Sequence, residues 1–525
     1  MSPLISVNVL PRLRFKELTV PERYDPPVNG HYTPFHNWDG FDFHAMMPAP
    51  DRLNQGPFGT EQDEGWHTLT VTTPARGQVR NFGMGIVGYA WEENGAPPTG
   101  QPLEVSVRKL AELPFCDKLY IRCDWRDVQK RPGRLDLNPV FPIALELCRK
   151  HGIALGIRVQ MSTPNLFPTL SIPDFLAKKI PFVDIGPMMR RGKKVKGHFK
   201  EPAYHSPVFQ KAFRELNELL AEEFDDDPRI EWIDLMQYGF WGEGHTGGMP
   251  RNSFPDFATA LETWIAMTRL QLQTWKHTPL AVNTQPDISR TGNNTIIDLA
   301  VRGASWLRTD SILTIEESQQ IEMLSNRPPY LALIVEDGGM RRYVMDEAVA
   351  SVEYGVTNRE QAALHALDAG ATHWCLWQMA DNLAAFHERW PRCMNTVMER
   401  VGYRVRPSWI LRRKRYGRIE LIVVVKNDGV AGVPGILRLF LEGKSGKFCM
   451  SGSLDPGHPY AGKLRHASFL LPDGMDYEGL TLRAEIEVKG ISRGVKWACE
   501  QPTNKDGSLP VALSKAANTR WRKDV

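Results

Sequence analysis

Seven cysteines are scattered through the 525 residues, an odd number with no CxxC pair among them. That excludes a disulfide framework and a zinc finger, and it fits a reducing compartment. No apolar run approaches the ~18 residues that a membrane helix needs. The opening stretch, MSPLISVNVLPRLRFKELTV, carries proline and charges where a secretory leader would be apolar. A soluble, cytoplasmic chain is therefore expected. A surplus of one charge is missing too: 64 Lys and Arg against 61 Asp and Glu leave a formal charge of +3. That balance argues against nucleic acid or a membrane surface as partner. No GxGxxG follows the first predicted strand, no Walker loop occurs, and HExxH is absent among 14 scattered histidines. Neither an organic cofactor nor a metal is expected.

What is present is ordinary globular composition, 42% hydrophobic and 24% charged. A single core rarely grows past ~250–300 residues, so at least two domains are expected. Residues 1–80 show no sustained period and are read as an irregular segment packing on its neighbour. From Asn81 short apolar runs alternate with helical stretches, the pattern of parallel βα units. Eight runs can be placed: FGMGIVGY from Phe82, KLYIRC from Lys118, ALGIRVQ from Ala154, IEWIDLMQY from Ile230, LAVNT from Leu280, SWLRTD from Ser305, YLALIVE from Tyr330 and HWCLWQ from His373. Eight strands in residues 81–405 suit a (β/α)8 TIM barrel, with an open doubly wound sheet as the alternative. Within the insertion Ser162–Ser206 the basic run RRGKKVKGHFK reads as a solvated loop, with contact to an acidic ligand as the lesser alternative. From 406 to 525 strands follow one another with turns and no helices, which predicts a C-terminal antiparallel β-sandwich.

Polar groups gather at the C-terminal ends of these strands, where barrel enzymes build their sites. The ends carry Arg122, Asp124 and Trp125; Arg158 and Gln160; Asn283 and Gln285; Arg308 and Asp310; Glu336 and Asp337; Trp377, Gln378 and Asp381. After the fourth strand comes YGFWGEGHT, with Trp241 and His245 beside Glu243 and glycines that permit close approach. Rings next to a carboxyl group disfavour its charge, so Glu243 is expected to have the raised pKa of a general acid. Glu336 closes the most apolar strand. Strands four and seven oppose each other in an eight-stranded barrel, and a carboxyl separation of roughly 5–5.5 Å would serve a retaining glycosidase. Arg, Asn, Gln and Asp suit vicinal hydroxyls, and Trp125, Trp241 and Trp377 offer faces for a sugar ring. Structural ion pairs are the competing account of Arg122, Asp124, Arg308 and Asp310.

Glu243 after strand four, Glu336 after strand seven and Trp377 on strand eight together resemble the clan A, β-galactosidase-like glycoside hydrolases. The segment IRCDWRDVQKRPGRLDLNPVFPIALELCRKHGIALGIRV resembles their second-to-third strand unit. A closer likeness is to uncharacterised bacterial members with a WGE(W/G)H stretch and a C-terminal β-sandwich. The resemblance implies a barrel enzyme with Glu243 as acid/base and Glu336 as nucleophile. Gly242 stands where the clan usually places Asn, so the hold on the sugar 2-hydroxyl would pass to His245 or Asn283. Glu316 and Glu317 are competing carboxylates after strand six.

The function expected is a retaining β-glycoside hydrolase on an oligo- or polysaccharide, with Arg158, Asn283, Gln285, Arg308, Asp310 and Trp377 shaping the donor subsite. Residues Trp38, Asp39 or His44 would reach the pocket if the N-terminal segment crosses the mouth. Two alternatives stand: a non-catalytic carbohydrate-binding barrel, and an inverting enzyme pairing Glu243 with Asp310 or Asp337. A carbohydrate is the expected partner, and a homo-oligomer is left open.

Overall fold

The computed structural model describes residues 67–91, 101–190, 193–194, 197–246, 249–284, 299, 301–309, 324–337, 350–351, 356–357, 363, 366–376, 380–443, 446 and 448–513. Eight parallel strands close into a barrel: Gly85–Trp91, Lys118–Asp124, Ala154–Gln160, Ile230–Asp234, Leu280–Asn283, Trp306–Arg308, Leu333–Asp337 and His373–Leu376. Each pairs with the next in chain order, and the eighth returns to the first through Cys375 opposite Val87. All eight fall on the apolar runs picked from the sequence. Strands covered on both faces need little polarity, which is why the runs are legible.

The helices between them follow from their ends. Val140–His151 finishes on Gly152 at φ +62°, a left-handed stop that costs glycine nothing, with three basic residues in its last turn. Pro207–Phe224 starts with Ser206 accepting the Phe209 amide at 3.3 Å and Pro207 where no amide is needed. Its buried face, Phe209, Phe213, Leu216, Leu220 and Phe224, recurs every three or four residues. Phe257–Thr274 starts on Asp256, which accepts from the Thr259 amide at 2.7 Å. Among the described residues no helix is long and apolar enough to cross a membrane.

Side chains alternate inward along each strand. Gly156 is one inward position, and a Cβ there would lie 2.2 Å from the Trp232 ring. The missing side chain is what lets the buried indole occupy the interior, stacked on Tyr120 at 5.9 Å and 13°. The ladder slips beside it: Leu155 faces Ile230 but Gly156 faces Trp232. Glu231 is left over, and its carboxylate meets Lys118 Nζ at 2.5 Å, His373 Nε2 at 2.7 Å and the Gly83 amide at 3.0 Å. Burial alone would raise the Glu231 pKa, but Lys118 and His373 bring it below the ordinary value.

The C-terminal region forms two antiparallel sheets. One orders His67–Val71, Val405–Arg415, Arg418–Asn427 and Leu464–Leu470; the other orders Cys449–Ser453, Ile436–Gly443, Leu480–Val488 and Ile491–Val495. Alternate residues (Leu437, Leu439 and Leu441 against Leu421, Val423 and Val425) are fully buried in one apolar cluster that continues into the barrel through Tyr120, Trp232 and Trp306. This sheet pair therefore covers the barrel floor. Tyr403 OH donates to the Phe82 carbonyl at 2.8 Å across the junction.

Two expectations are corrected. His67–Val71 falls in the segment 1–80 read as irregular, yet it pairs with Val405–Arg415 as an edge strand of the C-terminal sheet. Five residues ending in two buried positions gave too short a period to register. The basic run 190–200 is not simply a solvated loop, since its end enters a strand. Phe182–Gly186 pairs antiparallel with Phe199–Pro202, and Phe199 and Glu201 are buried. Its charges masked the apolar residues on either side of it.

Candidate active site

The turn after the fourth strand aims Glu243 into the barrel mouth. Gly239, Trp241, Gly242 and Gly244 all adopt positive φ, which coils the chain into a tight loop. The Phe240 amide donates to the His245 carbonyl and the Glu243 amide to the Phe240 carbonyl, both at 3.1 Å. Trp241, a non-glycine at φ +58°, is held there by its amide's bond to the Ser162 carbonyl at 2.8 Å. The Glu243 carbonyl accepts from Asn283 Nδ2 at 2.9 Å.

The Glu243 side chain is buried among cations. Oε1 takes a short hydrogen bond from Arg158 Nη1, and Arg122 Nη1 lies 3.6 Å from it. Oε2 lies 3.2 Å from His245 Nε2. Burial pushes this carboxyl group up, but Arg158, His245 and Arg122 outweigh it and hold the pKa well below the usual carboxylate range. The expectation of a raised pKa is therefore overturned. It weighed the rings nearest in sequence, and the deciding groups are arginines on the second and third strands.

Glu336, 1% exposed, is the penultimate residue of the seventh strand. Its Oε2 accepts from Tyr89 OH at 2.9 Å and from Arg308 Nη2 at 2.5 Å, while its amide donates to Thr309 Oγ1 at 3.2 Å. Arg308 also donates to Tyr89 OH at 2.8 Å and lies over the Tyr120 ring at 4.8 Å. Burial drives the Tyr89 and Tyr120 hydroxyls far above their ordinary pKa, so both stand as neutral donors. Cys375 faces Arg308 at 3.6 Å, its thiol pushed by burial up to about 12.

Both glutamates thus join one network with Asp234, the last residue of the fourth strand. Asp234 Oδ2 accepts from Arg158 Nε at 2.8 Å and Nη2 at 2.7 Å and from Tyr120 OH at 2.5 Å, and it lies 3.4 Å from Arg308 Nε. Asp234, Tyr89, Tyr120 and Thr309 were not singled out from the sequence. The available signal was an acid at an inward position of an apolar strand, IEWID, where an unpaired charge would be too costly to keep.

Of the residues that were singled out, Arg122, Arg158, His245 and Asn283 meet at Glu243, and Arg308 meets Glu336. Gln160 Nε2 donates to Asp124 Oδ1 at 3.1 Å, and the Asp124 amide donates to Asp127 where a short helix begins. Trp241 is half-buried and packs edge-on against His245 at 5.5 Å. Trp125 is no sugar platform: it is fully buried, bonded to Gln129 at 2.8 Å and packed on Phe209. Asp381 lies on an exposed helix in a surface pair with Lys109 at 3.1 Å. Gln285, Asp310, Trp377 and Gln378 lie outside the described residues, as do Trp38, Asp39, His44, Glu316 and Glu317; of Asp337 only the backbone is described.

No family profile matches the chain and no curated protein matches it. Among solved structures it is similar to an exo-β-1,4-mannosidase from Opitutaceae bacterium strain TAV5, with 12% identity over 59% of this chain and 54% of the other, at a TM-score of 0.38. The chain spans about half the length of that mannosidase. It is similar also to endo-glycoceramidase II from Rhodococcus sp., at 12% identity over 75% of this chain and 99% of the other, TM-score 0.34. A psychrophilic family 10 endo-β-1,4-xylanase matches at 8% identity over 56% and 86%, TM-score 0.34. The barrel itself stands on the chain's own strand pairing.

Proposed function

We propose that the chain is a glycoside hydrolase working by double displacement, with Glu336 as nucleophile and Glu243 as acid/base. The observation that carries this is the pair itself: two buried glutamates, following strand four and on strand seven, each bound to an arginine that also lies within ion-pair distance of Asp234, at the C-terminal end of a closed barrel. Glu336 accepts two donors on one oxygen, which favours the carboxylate, the form that attacks an anomeric carbon. Glu243 would protonate the leaving oxygen and then, as a base, take a proton from water. Its low pKa suits the second half-reaction and makes the first the demanding one. Since the general acid must carry a proton and Glu243 holds its charge, kcat/KM should climb steadily as pH falls, with no plateau inside the folded range. Arg158, Arg308 and Asn283 serve by holding the glutamates, so contacts to sugar hydroxyls fall mainly to other groups of the mouth.

The two arginines and the histidine around Glu243 also favour a second reading, a carbohydrate-binding barrel without turnover. A panel of aryl glycosides tests both. Hydrolysis by the wild type, cut by about 10²–10⁴-fold in Glu243→Gln and in Glu336→Gln, supports the enzyme. Turnover unchanged in both variants removes the assignment. A wild type that binds sugars calorimetrically yet cleaves none selects the second reading.

A further inference from the structure

One arginine at each glutamate also reaches a common anchor. Asp234 is 2% exposed, and the groups aimed at its carboxylate are donors: the Arg158 guanidinium edge, Tyr120 OH and Arg308 on the Oδ2 side, and Trp232 Nε1 at 2.8 Å on Oδ1. Arg158 turns its Nε–Nη2 edge to Asp234 and its Nη1 to Glu243, while Arg308 divides one edge between the two, Nε 3.4 Å from Asp234 and Nη2 at Glu336. Each arginine is strung between Asp234 and one glutamate. A planar fork can satisfy two carboxylates at once only if both are fixed, so a turn toward one partner withdraws it from the other.

We propose that Asp234 is the positioning residue of this site, one that touches no substrate but fixes both glutamates through Arg158 and Arg308, so that the placement of each depends on the other. What the two carboxylates do chemically rests on the function proposed above; how they are held does not. The charged and titratable groups around the network come from most of the barrel: Tyr89 on the first strand, Tyr120 and Arg122 on the second, His245 after the fourth, and Cys375 on the eighth.

Asparagine at 234 has the same shape and the wrong polarity. Its amide nitrogen, a donor, must face either Trp232 Nε1 or the guanidinium side, and its neutral oxygen holds an arginine less firmly than a carboxylate does. With their arginines loosened, both glutamates would titrate higher, by about one pH unit or more. If Asp234 were merely a nearby negative charge, deleting it would move both titrations the other way. The sign separates the two cases.

The experiment is a carbon-13 titration of the full chain labelled at the glutamate carboxyl carbon, with the two resonances assigned through Glu243→Gln and Glu336→Gln. The wild type should keep Glu243 ionised to the acid limit of folding, and Asp234→Asn should raise both glutamates. Arg158→Lys, which keeps the charge and loses the fork, should move Glu336 as well as Glu243, because the strain passes through Asp234. A fall in either glutamate, or movement of one alone, overturns the proposal; should Asp234→Asn fail to fold, Arg158→Lys decides. Where the wild type cleaves glycosides, Asp234→Asn should lose kcat by about tenfold or more with KM little changed, and a loss carried by KM alone also overturns it. A wild type that cleaves nothing ends the hydrolase proposal, while the titration still judges Asp234.

Discussion

Gly156→Ala adds one methyl group where the barrel has no room. The new Cβ would lie 2.2, 2.4 and 2.4 Å from three carbons of the Trp232 ring, all well inside van der Waals contact. Neither side yields easily, since Gly156 is strand backbone and Trp232 is fully buried, stacked on Tyr120 and bonded to Asp234. Overpacking of this kind costs ~1–3 kcal/mol. At roughly 2–4 °C per kcal/mol for a large domain, the melting temperature should drop by a few to about 10 °C. A double-mutant cycle locates the clash. Trp232→Phe removes the crowded atoms and is itself destabilising, through the cavity it leaves and the lost Asp234 bond. Gly156→Ala in that background should cost at least ~1 kcal/mol less than in the wild type. Urea denaturation of the four proteins measures this. Additivity within about 0.5 kcal/mol, or a Gly156→Ala variant as stable as the wild type, would refute the steric account.

Two further predictions concern stability. Glu201 is buried against Ser162 and Tyr204, and burial raises its pKa from 4.5 to about 7. Below ~4.5 both folded and unfolded chains hold this proton; between there and 7 only the folded chain does, so stability falls as pH rises through that window and levels off above it. Glu201→Gln should remove that component of the slope, on the order of 3 kcal/mol at most, and a pH series of melting temperatures showing identical slopes would count against it. Arg327, its pKa lowered by burial to about 9, donates to the carbonyls of Leu324, Leu331, Ala369 and Gly370 at 2.6–3.0 Å. Arg327→Met should cost about 2–4 kcal/mol in urea with an unchanged m-value, because buried carbonyls lose charged donors; a loss below 1 kcal/mol would show the clamp to be dispensable.

The eight strands were legible because a barrel strand is apolar over most of its length and bounded by polar ends. Helices with clear caps, such as Pro207–Phe224 behind Ser206, carry their start signal in the local sequence. The places of Glu243 after strand four and of Glu336 on strand seven could be anticipated from strand order alone. The charge on Glu243 could not. It depends on Arg122 and Arg158, about 121 and 85 residues away in sequence and adjacent in space, and no local window holds that information. Asp234 was hidden for a related reason: in IEWIDLMQY it looks like one polar interruption, and only closure of the barrel brings two arginines to it. The slip that frees Glu231 is likewise a property of two strands read together.

The edge strand His67–Val71 has a consequence for how the chain is made. Thr72 Oγ1 donates to the Pro407 carbonyl across 335 residues. A ribosome adding ~5–20 residues per second needs roughly 17–70 s to span that gap. Throughout that interval the earlier segment waits without its strand partner, and the sheet is completed only once residues 405–470 have been made. An early unmated strand of this kind is a natural client for a chaperone that masks extended segments on nascent chains.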